Sequence, residues 1–108
     1  MKEPPYKLLV DYGMASGRRK ALAFAKDRVS IGRAHSNDVM LANAMRLVSR
    51  QHAEIRRDRD VFWIVDLGSK NATWLNGRRL EADRPYVLHH GDKFLVGDFQ
   101  IEFVAPTQ

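Results

Sequence analysis

The 108-residue sequence contains no cysteine. That excludes a disulfide scaffold, a thiolate metal site and a cysteine nucleophile. Long apolar runs are also missing. The longest, such as Val61-Phe62-Trp63-Ile64-Val65, extend for five residues, far short of the roughly 20 needed to span a bilayer. No apolar segment follows Met1-Lys2-Glu3-Pro4-Pro5, as a secretory signal would require. Helical periodicity is scarce as well. No window keeps apolar residues at i, i+3, i+4 and i+7 over three turns, and the least poor candidate, Leu41 to Val48, is interrupted by Asn43 and lacks a capping box. His35, His89 and His90 show no metal-ligand spacing. These absences set the expectation of a soluble protein of the reducing cytoplasm, with no cofactor, no metal and no membrane partner.

Positive charge is plentiful. Eighteen Lys and Arg face thirteen Asp and Glu, a formal charge of +5, and Arg outnumbers Lys twelve to six. Arg offers a planar fork of donors suited to phosphate or carboxylate, whereas Lys is a point charge. The balance implies an anionic partner without choosing among nucleic acid, lipid and phosphorylated protein. The length suits one domain over 1–108. The chain is either complete or one domain of a longer protein, and the residues leave both open.

The apolar pattern is that of strands. Short runs such as Tyr6 to Val10, Ala21 to Phe24, Val29 to Ile31 and Phe99 to Val104 are punctuated by Gly, Asn and Asp. Asp58-Arg59-Asp60 separates His52–Arg57 from Val61–Asp66 and predicts a hairpin. Asn76-Gly77 is the strongest two-residue hairpin signal, because both turn positions favour φ > 0. About ten strands with turns every 6 to 12 residues predict an all-β sandwich or small barrel. Trp63 and Trp74 fall on strands and read as core or sheet-face residues.

Polar groups concentrate in three loops: Gly32 to Asp38, Ser49 to His52, and Asp66 to Thr73. Two guanidiniums, several hydroxyls, a Lys and a primary amide make a poor catalytic set and a good oxyanion-binding one. The ordered series Gly32-Arg33, Ser49-Arg50-x-His52, Asp66-Leu67-Gly68-Ser69-x-Asn71-x-Thr73, Asn76-Gly77, Leu88-x-x-Gly91-Asp92 and Gly97 resembles the forkhead-associated (FHA) domain. The motif-bearing stretch covers about residues 29–104.

The resemblance implies an eleven-stranded β-sandwich whose loops at one end bind phosphothreonine in a partner protein, in kinase signalling. By position, Arg33, Ser49 and Arg50 are expected to contact the phosphate, with Lys70 standing where the family often has a Ser or Thr that does so. Asn71 is expected to read the ligand backbone. His52 would tie the binding loops together, and Gly32, Thr73, Asn76 and Gly77 would shape them. Arg46 would extend the basic rim, and Leu47 stands where some members carry a specificity-setting charge. The partner implied is a phosphothreonine protein or peptide, a Ser/Thr kinase or its substrate. One departure matters: Ala72 replaces the usual Gly, and if that position needs φ > 0 the strain is about 1 kcal/mol or more.

The chemistry supports these roles independently. A phosphothreonine carries about −1.5 to −2 charge and three strong acceptors, and hydrogen bonds to charged groups contribute roughly 1.5–3 kcal/mol. Three other readings compete. A phosphate-independent interaction domain of the same fold is kept open by Ala72. A basic nucleic-acid binder is suggested by Arg18-Arg19-Lys20, Arg56-Arg57-Arg59 and Arg78-Arg79, but no aromatics alternate with them. An enzyme would have to use Ser49 and His52 with an Asp, yet that spacing does not aim the imidazole at the hydroxyl.

Overall fold

A computed structural model describes residues 6–12, 19–42 and 47–105. It is all-β, and its described residues form eleven strands in two sheets. In chain order these are β1 (Tyr6–Asp11), β2 (Arg19–Phe24), β3 (Arg28–Gly32), β4 (Val39–Met40), β5 (Ala53–Asp58), β6 (Val61–Asp66), β7 (Thr73–Leu75), β8 (Arg78–Arg79), β9 (Tyr86–Leu88), β10 (Lys93–Val96) and β11 (Phe99–Val104). One sheet runs β2-β1-β11-β10-β7-β8 and the other β4-β3-β5-β6-β9. Each sheet keeps two edge strands, which makes the architecture a sandwich and not a closed barrel.

Alternation explains the packing. Phe99, Ile101 and Phe103 of β11 point inward and Gln100 and Glu102 outward; β3 buries Val29 and Ile31, and β5 buries Ala53 and Ile55. A register slip of one residue would turn each of these sets to solvent. Tyr6 anchors the centre, with its ring 5.0 Å from Phe62 and 5.9 Å from Phe103, while its hydroxyl donates to the Lys26 carbonyl at 2.9 Å. Burial of side chains this large contributes roughly 1.5–3 kcal/mol each.

The expected hairpins form. Arg59 (φ 59°) turns β5 into β6, and Asn76 and Gly77 (φ 49° and 84°) turn β7 into β8. Trp63 and Trp74 lie on outward faces, Trp63 half-buried beside Val87 and Trp74 exposed beside Leu95. Of the helix candidate, Leu41, Ala42, Leu47 and Val48 are irregular, and 43–46 lie outside the described residues. Among the described residues no helix is long and apolar enough to cross a membrane.

Registry brings the polar loops together. Ile31 of β3 pairs with Ala53 of β5, Ala53 with Asp66 of β6, and Thr73 of β7 with Val96 of β10. The loops after Gly32, before Ala53, after Asp66 and after Val96 therefore leave the sandwich at one end.

Candidate functional site

The site begins with a close backbone approach. A Cβ at position 32 would sit 2.1 Å from the Arg50 carbonyl oxygen, so only glycine lets the end of β3 lie against the segment before β5. That contact is reinforced on both sides. Arg33 N–H donates to the Ser49 carbonyl at 3.0 Å and Ala34 N–H to the Arg50 carbonyl at 3.3 Å. Asn37, nearly buried, uses Nδ2 on the carbonyls of Ala34 (3.0 Å) and Arg50 (2.7 Å). Arg33 spends one of its five N–H donors, at Nε, on the Val48 carbonyl at 3.2 Å. This bond orients the guanidinium and leaves the N–H groups of its terminal nitrogens for other partners. Arg50 is exposed beside it.

His52 joins the second loop to the third. It is fully buried, and its Nδ1 accepts the Ser49 N–H at 3.0 Å. Nε2 must then carry the ring proton, which it donates to the Ala72 carbonyl at 2.9 Å. Burial holds the imidazole below its ordinary pKa, opposed by the Ala72 carbonyl and the charge of Asp66, so the ring is neutral at pH 7. Ser49 Oγ accepts the Lys70 N–H at 3.0 Å and keeps its own O–H to donate. Both ring nitrogens are committed to backbone groups and none to the Ser49 hydroxyl. A Ser–His nucleophile needs the opposite arrangement.

The third loop is folded around a buried carboxylate. Asp66 Oδ2 accepts the N–H groups of Gly68 (3.0 Å) and Ser69 (3.1 Å), while Oδ1 accepts the hydroxyls of Ser69 (2.5 Å) and Thr73 (2.7 Å). This is an Asx turn extended to the first residue of β7. Ala72 has φ 67°, the left-handed region, and this turns its carbonyl toward His52. The strain expected for Ala in place of Gly is therefore present. Asn71 is exposed and donates Nδ2 to the Leu47 carbonyl at 3.1 Å, tying the third loop to the second while keeping a second N–H and its carbonyl.

Arg33, Ser49, Arg50, Lys70 and Asn71 thus share one end of the sandwich, with Gly32, His52 and Thr73 beneath them. Asn76 and Gly77 lie at the far end of β7, where Asn76 Nδ2 donates to Asp92 (3.1 Å) and its Oδ1 accepts the Lys93 N–H (3.0 Å). They shape a turn remote from Arg33, Ser49, Arg50, Lys70 and Asn71. Arg46 lies outside the described residues. Three contributors escape sequence reasoning. Asn37 clamps two loops. Asp66 organises the third, a role its place two residues before Gly68 could have signalled. Gly97 (φ 61°) makes room for Leu47 and Val48, because a Cβ there would lie 2.8 Å from Val48 Cγ2.

Chemically, the end combines arginine donors, a hydroxyl and a lysine, with its one buried carboxylate consumed by its own loop. Among the described residues no group of His, Asp and Glu could hold a metal ion. That donor set, on one end of a β-sandwich, has the chemistry that suits an oxyanion. The FHA domain model matches residues 29–97, and the chain belongs to the FHA family. It is 35% identical over 97 residues to the oxoglutarate dehydrogenase inhibitor of Corynebacterium jeikeium, covering 90% of this chain and 62% of that protein. It is likewise 35% identical over 98 residues to the glycogen accumulation regulator GarA of Mycobacterium tuberculosis, covering 91% and 56%. The chain thus spans less than two thirds of these relatives, which are named as an inhibitor and a regulator. A solved FHA domain studied for phosphothreonine-dependent interactions superposes with a TM-score of 0.76 at 30% identity, covering 95% of this chain and 98% of that one.

Proposed function

We propose that this chain is a phosphothreonine-dependent interaction module that binds phosphorylated segments of partner proteins, and that it acts by binding and not by catalysis. The observation that carries the reading is a pair of available donors: Arg33, positioned by its Nε bond to the Val48 carbonyl, and Ser49, whose Oγ accepts the Lys70 N–H and keeps its own proton to donate. Arg33 meets two phosphate oxygens through its terminal nitrogens, Ser49 donates to a third, and Arg50 and the Lys70 ammonium add charge. Asn71, at the lip of the second and third loops, reads the backbone of an extended ligand. His52, Gly32 and Thr73 hold these groups in place; Asn76 and Gly77 shape the fold.

Because the donors are already positioned in the unbound domain, little ordering entropy opposes binding. Two or three charge-assisted contacts with backbone recognition amount to about −8 kcal/mol, a micromolar complex. The partner is a phosphothreonine protein, a Ser/Thr kinase or its substrate, met in the cytoplasm, and residues 1–108 serve as one module with its recognition core in 29–104. Ala72 does not turn the reading toward phosphate-independent binding, since its carbonyl still reaches His52 and the loop beneath the site is intact. Titration with one peptide carrying threonine, phosphothreonine or phosphoserine tests this. Binding of the phosphothreonine form alone, or strongly preferred, is expected; equal affinity for the plain form overturns it.

A further inference from the structure

Beside the phosphate-facing donors lies an open depression of about 390 Å³, lined by Arg33, Ala34, His35, Met40, Ala42 and Arg50. It is open to solvent and reaches past the groups assigned to the phosphothreonine phosphate. Ser49 and Lys70, the other groups assigned to the phosphothreonine phosphate, are not among its walls. The space therefore continues from the Arg33–Arg50 edge away from Ser49, toward His35 and the end of β4.

Three features describe what this remaining space accepts. Among the described residues no carboxylate lines it, whereas several arginines elsewhere are matched to acids, such as Arg19 to Glu102, Arg56 to Glu54 and Arg84 to Glu81. Its polar side chains can all donate, since Arg50 carries five N–H groups and an imidazole has at least one in any protonation state. Met40 and Ala42 add an apolar, solvent-exposed stretch of wall, which suits a side-chain stem. The walls are also built and not incidental. Asn37 bonds the carbonyls of both Ala34 and Arg50, Asn37 N–H closes the Ala34–Asn37 turn at 3.2 Å, and Ala34 N–H bonds Arg50. The backbones that carry His35 and Arg50 are bolted together, so the spacing of their side-chain roots is fixed before any ligand arrives.

We infer that this depression seats a second anionic side chain of the bound segment, a carboxylate or a second phosphate, held between His35 and Arg50 next to the phosphothreonine. The inference rests on the phosphothreonine reading above and adds the class of sequence preferred. Arg50 would then be shared between the two anions, and His35 would serve the second alone.

The test uses the full 108-residue chain and a peptide set built on one phosphothreonine. Each flanking position in turn carries Ala, Asp or phosphoserine, and affinities are read by fluorescence anisotropy. At one or two positions Asp should tighten binding about three- to fivefold over Ala, as expected of partly exposed ion pairs, with phosphoserine gaining more. His35→Ala should erase that gain while leaving the Ala-flanked phosphothreonine peptide within about twofold of its original affinity. Met40→Glu, which places a carboxylate in that wall, should erase it independently. A larger gain from phosphoserine than from Asp identifies a phosphate as the better occupant; equal gains identify a carboxylate seat. If the Ala-flanked peptide binds and no acidic position improves it, or if the gain survives both substitutions, the second seat is overturned while phosphothreonine recognition stands. If no phosphothreonine peptide binds, both are overturned.

Discussion

Strand β7 is flanked by two turns that look alike on paper and are held in different ways. Asn71-Ala72 precedes it and Asn76-Gly77 follows it, and both visit the left-handed region, with φ 67° at Ala72 and 49° and 84° at Asn76 and Gly77. The far turn uses residues that adopt such angles at little cost. The near turn forces an alanine into them. What holds Ala72 there is tertiary: its carbonyl on His52, Thr73 on Asp66, and Asn71 on Leu47. Backbone strain persists where surrounding bonds over-determine the conformation, and such places cluster at binding sites. The far turn is a consequence of local chemistry, the near one of the site built around it.

Removing the scaffold of each turn should separate them most sharply. Asp66→Ala strips four hydrogen bonds from the near turn and leaves the buried Thr73 hydroxyl without its partner, so a loss of about 3–5 kcal/mol in urea unfolding is expected, along with phosphopeptide binding. Asn76→Ala, at the exposed far turn, loses two exposed hydrogen bonds and puts an alanine at φ 49°, so it should cost about 1–2 kcal/mol and leave binding unchanged. Equal losses at both ends would show that the near turn is no more dependent on tertiary bonds than the far one.

Arg33→Ala tests whether the near end is a binding surface and not only a structural one. Calorimetry should show about 2–3 kcal/mol less phosphopeptide affinity, some 30- to 150-fold, with Tm unchanged. A fall in Tm with affinity intact would reverse the assignment.

The strain itself is tested by exchanging the turn residues. Ala72→Gly should raise stability by about 1 kcal/mol, roughly 4–8 °C in Tm for a domain of this size, because the backbone angle is kept and its penalty removed. Gly77→Ala should lower it by a similar amount. The same sign for both would mean that Ala72 is not strained.

The smallest effect is one of pH. Buried His52 has its pKa held below the ordinary value, so the unfolded chain binds its proton at higher pH than the folded one. The neutral ring's contribution is complete above about pH 6.5 and is lost as pH falls from there toward the folded pKa. Chemical unfolding at pH 7.5 and 5.5 should show that loss in the parent chain and a smaller one in His52→Asn. An identical pH dependence in both would remove His52 as its source.

Much of the scaffold is legible from local pattern. Alternation in Phe99–Val104 marks a strand and its buried face, the apolar run Val61–Val65 marks another strand, and Asn76-Gly77 marks its own turn, because these signals need only neighbours along the chain. Arg33, Ser49 and Arg50 are legible as donors in loops. Their function as a set is not, because the bonds that assemble them join distant residues. Asn37 reaches Arg50 across 13 positions, His52 reaches Ala72 across 20, and Asn71 reaches Leu47 across 24.

The sequence by itself determined an all-β sandwich or small barrel with cationic loops, since side-chain period and turn chemistry are local properties of the chain. Tertiary structure alone decided that it is a sandwich, which ring nitrogen of His52 carries the proton, which backbone N–H the Ser49 hydroxyl oxygen accepts, and that His35 joins Arg33 and Arg50 around one depression. Each of the last three depends on a partner supplied by another loop, and strand registry is what brings the loops within hydrogen-bonding distance.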